Sequence, residues 1–480
     1  MCSGCILSSQ IRTWKQLRTD VSYLLTLLTA IIYPRPPTPV HTRLYNGHEI
    51  LAAWMDRVFH TNSHERFYAN DSFVFLMKLL LVHQNFPGQF KHLFPVLCKD
   101  PANEVVAFTM NDFVSPTGSR VVKYLPAKGT SRDVHPWVAE TETKVIRGDA
   151  AFKAAIKLKN EGFYPDLILA HPGWGESLFL KDVWPKAKLL IYCEFHYAAD
   201  DRDVGFDPEF PISDEAELCR VRMKNVNNLL HFESADGGFS PTHWQKSTFP
   251  EPFRSKIHVI HDGIDTTALK PKPDVVLKLG DKKISRDDEI ITFVNRNLEP
   301  YRGYHIFMRA LPETLRARPK ARVLIVGGDG VSYGAKPSGN LTWKQTFLQE
   351  VKDEIDLSRV HFLGQIPYPQ FIGLLQISTV HVYLTYPFVL SWSLLEAMAC
   401  GCAIVASDTQ PLREAIVHEK TGLLTPFFDA RQLAATVCEL LENPEKRKAL
   451  GEAARQFAVE NYDLQSVCLP QMLALIKSFR

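Results

Sequence analysis

Short apolar runs, each closed by a turn and followed by a longer amphipathic segment, recur along most of this chain, and that alternation restricts its fold more than any other feature. LLLVH (79–83), EVVAFTM (104–110), DLILA (166–170) and KLLIY (188–192) alternate in this way in the first half; IITFV (290–294), RVLIV (322–326), VHFLG (360–364) and AIVAS (403–407) do so in the second. Runs of this length, apolar on every side, suit strands covered on both faces by helices, which predicts parallel sheets of the doubly wound α/β type. The polar, lysine-rich stretch between Leu269 and Glu289, with Pro271 and Pro273, reads as a linker between two such units. The expected division is an extension over 1–76, a first domain over 77–268, a linker over 269–289, a second domain over 290–463 and a terminal helix over 464–480.

Composition excludes several classes. A formal net charge of +2 over 480 residues gives no basis for nucleic-acid binding, which needs a strong basic excess or stripe. Nine scattered cysteines do not form a secreted disulfide framework and suit a reducing compartment. Cys2 and Cys5 make one CxxC without a second pair, so no metal site is expected from them. The apolar run from Tyr23 to Tyr33 is too short to span a bilayer, and the strand-like segment after Met77 leaves the role of the preceding extension open.

Candidate site residues gather at the ends of the strands, where open α/β sheets bind their ligands. In the first half these are Gly88, in the turn after LLLVH, His171, at the end of DLILA, and His196, beyond KLLIYCEF. His196 is expected to face the cleft and meet a sugar hydroxyl or a phosphate. Asp201-Arg202-Asp203, superficially a DxD metal motif, reads as a solvated loop. Ser240 reads as the cap of a helix entered through Pro241. In the second half, Arg296 and Arg302 share one strand-to-helix loop, and their guanidinium forks match phosphate oxygens. Gly327 and Gly328 end the next strand. Gly364 and Ile366, in the turn before Pro367, present backbone that can receive a flat base. Between Tyr383 and Ser407 a strand, a turn at Leu390, Ser391, Trp392 and Ser393, a helix carrying Glu396 and capped by Gly401, and another strand form a nucleotide-binding shape: the helix start offers amides to a diphosphate and Glu396 reaches a ribose.

With these residues in view, the chain over 77–480 resembles the retaining glycosyltransferases of family four, of GT-B fold, in which two doubly wound Rossmann-like domains face a central cleft. VNRNLEPYRG resembles the family's phosphate-binding loop, LLEAMACGCAIVASD its nucleotide-ribose motif, IHVIHDGID the turn before its linker and HFLGQIP the segment that cradles the base; LLLVHQNFPGQF and FSPTHWQKSTFP resemble a bacterial-type subgroup. The resemblance implies metal-independent, retaining transfer of a hexose from a nucleotide-diphosphate sugar, the co-substrate, with no further cofactor, to a glycan or lipid-linked acceptor in polysaccharide biosynthesis. It implies a cytoplasmic protein, with peripheral membrane contact compatible with a lipid-linked acceptor. By the same resemblance Arg296 and Arg302 neutralise the diphosphate, Glu396 binds ribose, His196 touches the donor sugar and Gly88 lines the opposite wall. The chain departs from the pattern at Phe388, eight residues before Glu396, where the family carries a glutamate that contacts the transferred sugar. That departure sets up the alternative of a weakened relative that binds a nucleotide sugar or glycan as a subunit or scaffold.

Overall fold

The first strand carries the residues Leu79 to Val82 with no accessible surface at all, which is the burial that a strand covered on both faces must have. The computed structural model describes residues 76–115, 119–198, 202–212 and 214–480, all within one unit spanning 74–480. Cys2, Cys5 and the extension up to residue 75 lie outside the described residues.

In the first half β1 (Met77–Val82), β2 (Asn103–Thr109), β3 (Ser119–Lys123), β4 (Leu167–Ala170), β5 (Lys188–Tyr192), β6 (Gly237–Ser240) and β7 (Ile257–Val259) form one parallel sheet in the order β3-β2-β1-β4-β5-β6-β7. The second half repeats the plan. After a small antiparallel hairpin, β8 (Leu277–Leu279) with β9 (Lys282–Ile284), the strands β10 (Ile290–Asn297), β11 (Arg322–Gly328), β12 (Val360–Gly364), β13 (Val380–Tyr383), β14 (Ala403–Ser407) and β15 (Leu423–Thr425) pair in parallel in the order β12-β11-β10-β13-β14-β15. Both sheets are thus doubly wound, and the order reverses beside β1 and beside β10, where a crevice opens at the carboxyl edge.

Several local expectations shift. The stretch read as a linker holds the β8–β9 hairpin, with Ile284 buried and Leu277 and Leu279 against the core of the second half; Lys278 and Lys283 pair on the outward face, and Lys282 interrupts the inward one, which obscures the two-residue alternation. A long helix runs from Ala139 to Asn160. Ser240 belongs to β6, and the cap of the His243–Ser247 helix is Thr242, whose hydroxyl accepts from the Gln245 amide at 3.0 Å.

The chain crosses between the halves twice, side by side. Gly263, at φ +90°, turns the chain out of the first half where an added Cβ would stand 2.7 Å from Leu464. Ile264 donates to the Tyr462 carbonyl at 2.8 Å and Leu464 donates back to Ile264 at 2.9 Å. Beyond this bridge the terminal Leu469–Ser478 helix returns to the first sheet, where Leu469, Met472, Leu475 and Ile476 join Leu79, Phe86 and Phe239 in one core. The apolar stripe of that helix supplies about 2 kcal/mol for each fully buried side chain, enough to hold the two crossings together.

Candidate functional site

Each half brings one wall to the crevice. Arg302 closes the 3-10 turn Pro300–Arg302 after β10, and Gly303 at φ +67° lets the chain enter the Tyr304–Ala317 helix, since a Cβ there would strike Leu384. The Arg302 side chain is buried at 5% exposure, donating to the Thr385 hydroxyl at 2.7 Å and to the Tyr383 hydroxyl and Val389 carbonyl at 3.3 Å each. None of these partners is a carboxylate, so a buried cation is held in place by neutral oxygens. Arg296 stands at the end of β10, exposed.

Glu194, just past the end of β5 in the first half, answers both arginines. Burial and the nearby Asp262 push its carboxyl up to about 7, while Arg296 and Arg302 pull the other way. The carboxyl of one half thus feels the two guanidinium groups of the other. His171 joins them: its Nδ1 accepts from the Gly173 amide at 3.2 Å, so Nε2 carries the hydrogen, 3.8 Å from Glu194. His171 is 2% exposed, and burial, with His83 nearby, holds it neutral.

Beside this cluster the Trp392–Ala399 helix starts. Ser391 is its cap, accepting from the Ser393 amide at 3.3 Å, and Ser391 and Ser393 lie 3.0 Å apart at their hydroxyls. The Ser391 amide itself donates to the Tyr383 hydroxyl at 3.2 Å, so it is taken, and among the described residues the Trp392 amide is left open at this end. The Trp392 indole donates to Asp262 of the first half at 2.8 Å, and Lys91 Nζ stands 4.3 Å above the same ring. One helical turn on, Glu396 is buried and accepts from the Tyr368 hydroxyl at 2.7 Å; burial raises its pKa, and Tyr368 and Lys91 oppose that. Tyr368 opens the helix directly after Ile366 and Pro367, so its bond to Glu396 ties that carboxylate to the segment following the Gly364–Ile366 turn. Gly364 has φ +64° and open space where a Cβ would project.

Other residues are placed differently from the expectation. The His196 ring leans on Phe232 and Phe249, at centroid distances of 6.4 and 6.0 Å, inside the first half; the strand-end residue coupled to the arginines is Glu194, two positions earlier. Gly88 abuts His83, and an added Cβ would stand 2.2 Å from that ring, so its role is to admit the imidazole. Gly327 makes room for Leu298, 2.7 Å from where a Cβ would stand. Phe388, at 5% exposure, meets Phe195 of the first half edge to face at 4.9 Å, with Tyr333 at 5.0 Å and Tyr301 at 5.4 Å. An aromatic contact across the crevice thus stands where a carboxylate was expected.

The loop carrying Asp203 is docked, not solvated. Tyr301 donates to Asp203 at 2.6 Å and Tyr386 donates to Asp207 at 2.6 Å. His305 Nε2 lies 3.0 Å from Asp207, and Arg309 grips Glu209 with two bonds at 2.6 and 2.8 Å. Phe206 packs among Tyr386, Phe427 and Phe428. Residues 203–210 therefore strap the first half to the helix behind the arginine loop. Ligand atoms of Asp207, Glu209 and His305 lie within 4.8 Å of one another, but Tyr386 and Arg309 already occupy the two carboxylates.

Lys91, Glu194 and the strap carry no motif of their own, and Asp262 stands in IHVIHDGID, a segment that reads only as a turn. Only the position of Glu194 and Asp262 at strand ends could have drawn attention to them.

Comparison with known proteins agrees with this geometry. The family described as Glycosyl transferase family 4 group matches residues 101–269, and Glycosyl transferases group 1 matches 278–457. An uncharacterized glycosyltransferase of Methanocaldococcus jannaschii is 31% identical over 308 residues, covering 62% of this chain and 71% of the relative. A D-inositol 3-phosphate glycosyltransferase of Thermobispora bispora is 27% identical over 206 residues, 42% of this chain, and the match spans 46% of that relative's length. Among solved structures, sucrose-phosphate synthase from Thermosynechococcus elongatus superposes with a TM-score of 0.63 at 18% identity, over 84% of this chain and 99% of that one. Anabaena HepE in complex with UDP and glucose does so with a TM-score of 0.58 at 18% identity, over 84% of this chain and all of the other. Both show the GT-B fold. Among the described residues no helix is long and apolar enough to cross a membrane.

Proposed function

Because the chain belongs to the group 1 glycosyl transferases, we propose that it moves a hexose from a nucleotide-diphosphate sugar to a hydroxyl of a glycan or lipid-linked acceptor, with retention and without a metal ion. One observation carries this reading. An exposed Arg296 near the end of β10 and a buried Arg302 in the turn that follows it act on Glu194 of the first half and lie in the half that carries the helix start leading to Glu396. In the proposed arrangement the diphosphate lies against Arg296, Arg302 and the Trp392 amide, the ribose hydroxyls on Glu396 and the base in the recess at Gly364 and Ile366.

The bond from the anomeric carbon to the diphosphate oxygen breaks as the bond to the acceptor oxygen forms. The acceptor's proton passes to the departing diphosphate, so no protein nucleophile is required and the new bond forms on the same face. Cationic groups fixed where the leaving charge develops contribute about 3 kcal/mol each. Arg302 is suited to this because its neutral partners keep it in position before the donor arrives.

The test is acceptor-free hydrolysis of UDP-, GDP- and ADP-sugars in the presence of EDTA. UDP-glucose comes first because a fold neighbour holds UDP and glucose. Release of nucleoside diphosphate that EDTA does not suppress supports the reading, and the anomeric configuration of the product decides retention. The packing of Phe388 against Phe195 favours a second reading, a nucleotide-sugar binding subunit without turnover; tight donor binding with no hydrolysis of any sugar would support it.

A further inference from the structure

A cavity of about 300 Å³ opens in the second half at the amino ends of β13 and β14, the sheet edge opposite the crevice: Thr379, which precedes β13, and Ala403, which begins β14, line it. Four cations from two segments of the chain share its wall, Arg286 just past β9 and Arg447, Lys448 and Arg455 of the Pro444–Tyr462 helix. We infer that this cavity binds a multiply charged oxyanion of the phosphate class, and that the bound anion ties the segment after β9 to that helix. Nothing in the proposed sugar transfer uses these residues.

The arginines are held in place but not neutralised. Arg286 donates to the Gly401 carbonyl at 2.6 Å and Arg447 to the Leu440 and Leu441 carbonyls at 2.7 Å each. Arg455 donates to the carbonyls of Ala399, Leu269 and Thr266 at 2.6, 3.0 and 3.3 Å. Among the described residues none of the three is in ion-pair contact with a carboxylate. The acid of the wall, Glu452, stands 3.9 Å from Lys448. Glu289, near enough to act on Arg447, is spent on Arg318 with bonds of 2.5 and 3.2 Å. Burial lowers the Arg447 pKa; Glu289 opposes that, and Arg318 and Arg286 add to it. Carbonyl dipoles orient a guanidinium without cancelling its charge, so four cations face one carboxylate and the wall keeps a positive excess.

The unused donors define the ligand. Arg286 spends only Nη2 on its carbonyl and Arg447 only Nη1, so among the described residues each keeps Nε and its other terminal nitrogen unengaged. Two such forks on different segments suit an anion with several oxygens better than a single halide. Pro271, Gly401 and Gly451 complete the wall without long side chains, which leaves the space open. Through Arg455 the site also reaches the crossing between the halves, because Thr266 and Leu269 follow directly on Ile264 and its bridge to Leu464.

The test is thermal melting and calorimetric titration of the full chain with inorganic pyrophosphate and with glycerol 3-phosphate, each against sodium chloride at matched ionic strength. Pyrophosphate at millimolar concentration is expected to raise the melting temperature by about 3 °C or more. Binding of pyrophosphate alone assigns an inorganic anion, and binding of both probes assigns the phosphoryl group itself as what is recognised. Lys448→Glu reverses a charge on the rim, on a side chain 78% exposed, and is expected to weaken binding about tenfold or more without disturbing the fold. Arg286→Gln is expected to weaken it as well, and Arg286→Lys to keep part of it. Arg296 and Arg302 at the opposite edge offer pyrophosphate another place, and the variants tell the two apart: affinity unchanged in both Lys448→Glu and Arg286→Gln puts the anion in the crevice and overturns the inference. A melting temperature that rises no more than in chloride overturns it too.

Discussion

The Trp392 indole of the second half donates its N–H to Asp262 of the first half at 2.8 Å, and Tyr192 donates to the same carboxylate oxygen at 3.1 Å. The contact joins the start of the Glu396 helix to the turn where the chain leaves the first half, so the state of one carboxyl is tied to how the two walls meet.

This link has a pH signature. Burial pushes the Asp262 carboxyl up to about 6, against the pull of Trp392 and Tyr192. Between about 4 and about 6 the folded protein therefore holds a proton that the unfolded chain has released. The contribution of Asp262 to stability is complete below about 4 and is lost as pH rises through about 6. Urea denaturation from pH 4 to 8 is expected to show this slope in the wild type and a shallower one between 4 and 6 in Asp262→Asn, the remainder coming from Glu194 and Glu176, whose carboxyls are pushed up to about 7. Trp392→Phe removes a donor to the carboxylate and is expected to extend the slope above 6.

Donor affinity depends on pH through Glu194. Its carboxyl, pushed up to about 7, gains charge as pH rises and then competes with a diphosphate for Arg296 and Arg302. A nucleotide-diphosphate sugar carries constant charge over this range, so its dissociation constant is expected to rise as pH passes upward through 7. Glu194→Gln is expected to bind it more tightly at pH 8 and to flatten the dependence. Calorimetric titration at pH 6 and pH 8 measures both.

The strap makes a graded stability test. Although burial works against it, the close approach of His305 and the hydrogen bond from Tyr386 hold the Asp207 carboxyl below its ordinary range, and it is 2% exposed. Asp207→Ala leaves those partners buried and unmatched and is expected to cost about 3 kcal/mol. Glu209 pairs with Arg309 near the surface, at 39% and 31% side-chain exposure, and Glu209→Gln is expected to cost under about 1 kcal/mol. Chemical denaturation at pH 7 compares them.

Phe388 fills a gap between Phe195, Tyr301 and Tyr333. Phe388→Ala is expected to cost about 3 kcal/mol in the same assay. Phe388→Glu puts a carboxylate beside Arg302, whose guanidinium lies 5.8 Å from the ring, and is expected to change the order in which donor sugars are hydrolysed.

Both sheets were legible because fully buried parallel strands write themselves as continuous apolar runs, and so was the local setting of Arg302, in a turn after a strand, and of Glu396, in a helix one turn from its cap. What the sequence hid depends on neighbours distant along the chain. His196 ends an apolar run, yet its ring is drawn to Phe232 and Phe249, more than thirty residues on. The Asp203 segment reads as charged loop because its partners, Tyr301, His305, Tyr386 and Arg309, all belong to the other half. The hairpin at 277–284 was masked by its lysines, two on the outward face and Lys282 on the inward one.

The most direct measurement is the rate of acceptor-free nucleoside diphosphate release from the preferred sugar nucleotide by the wild type and by Arg302→Gln, each shown by its melting curve to be folded. Loss of one guanidinium from the diphosphate site is expected to lower the rate by about 100-fold to 1,000-fold. Equal rates in the two proteins would contradict the placement of the leaving group at Arg302, and with it the account of this crevice.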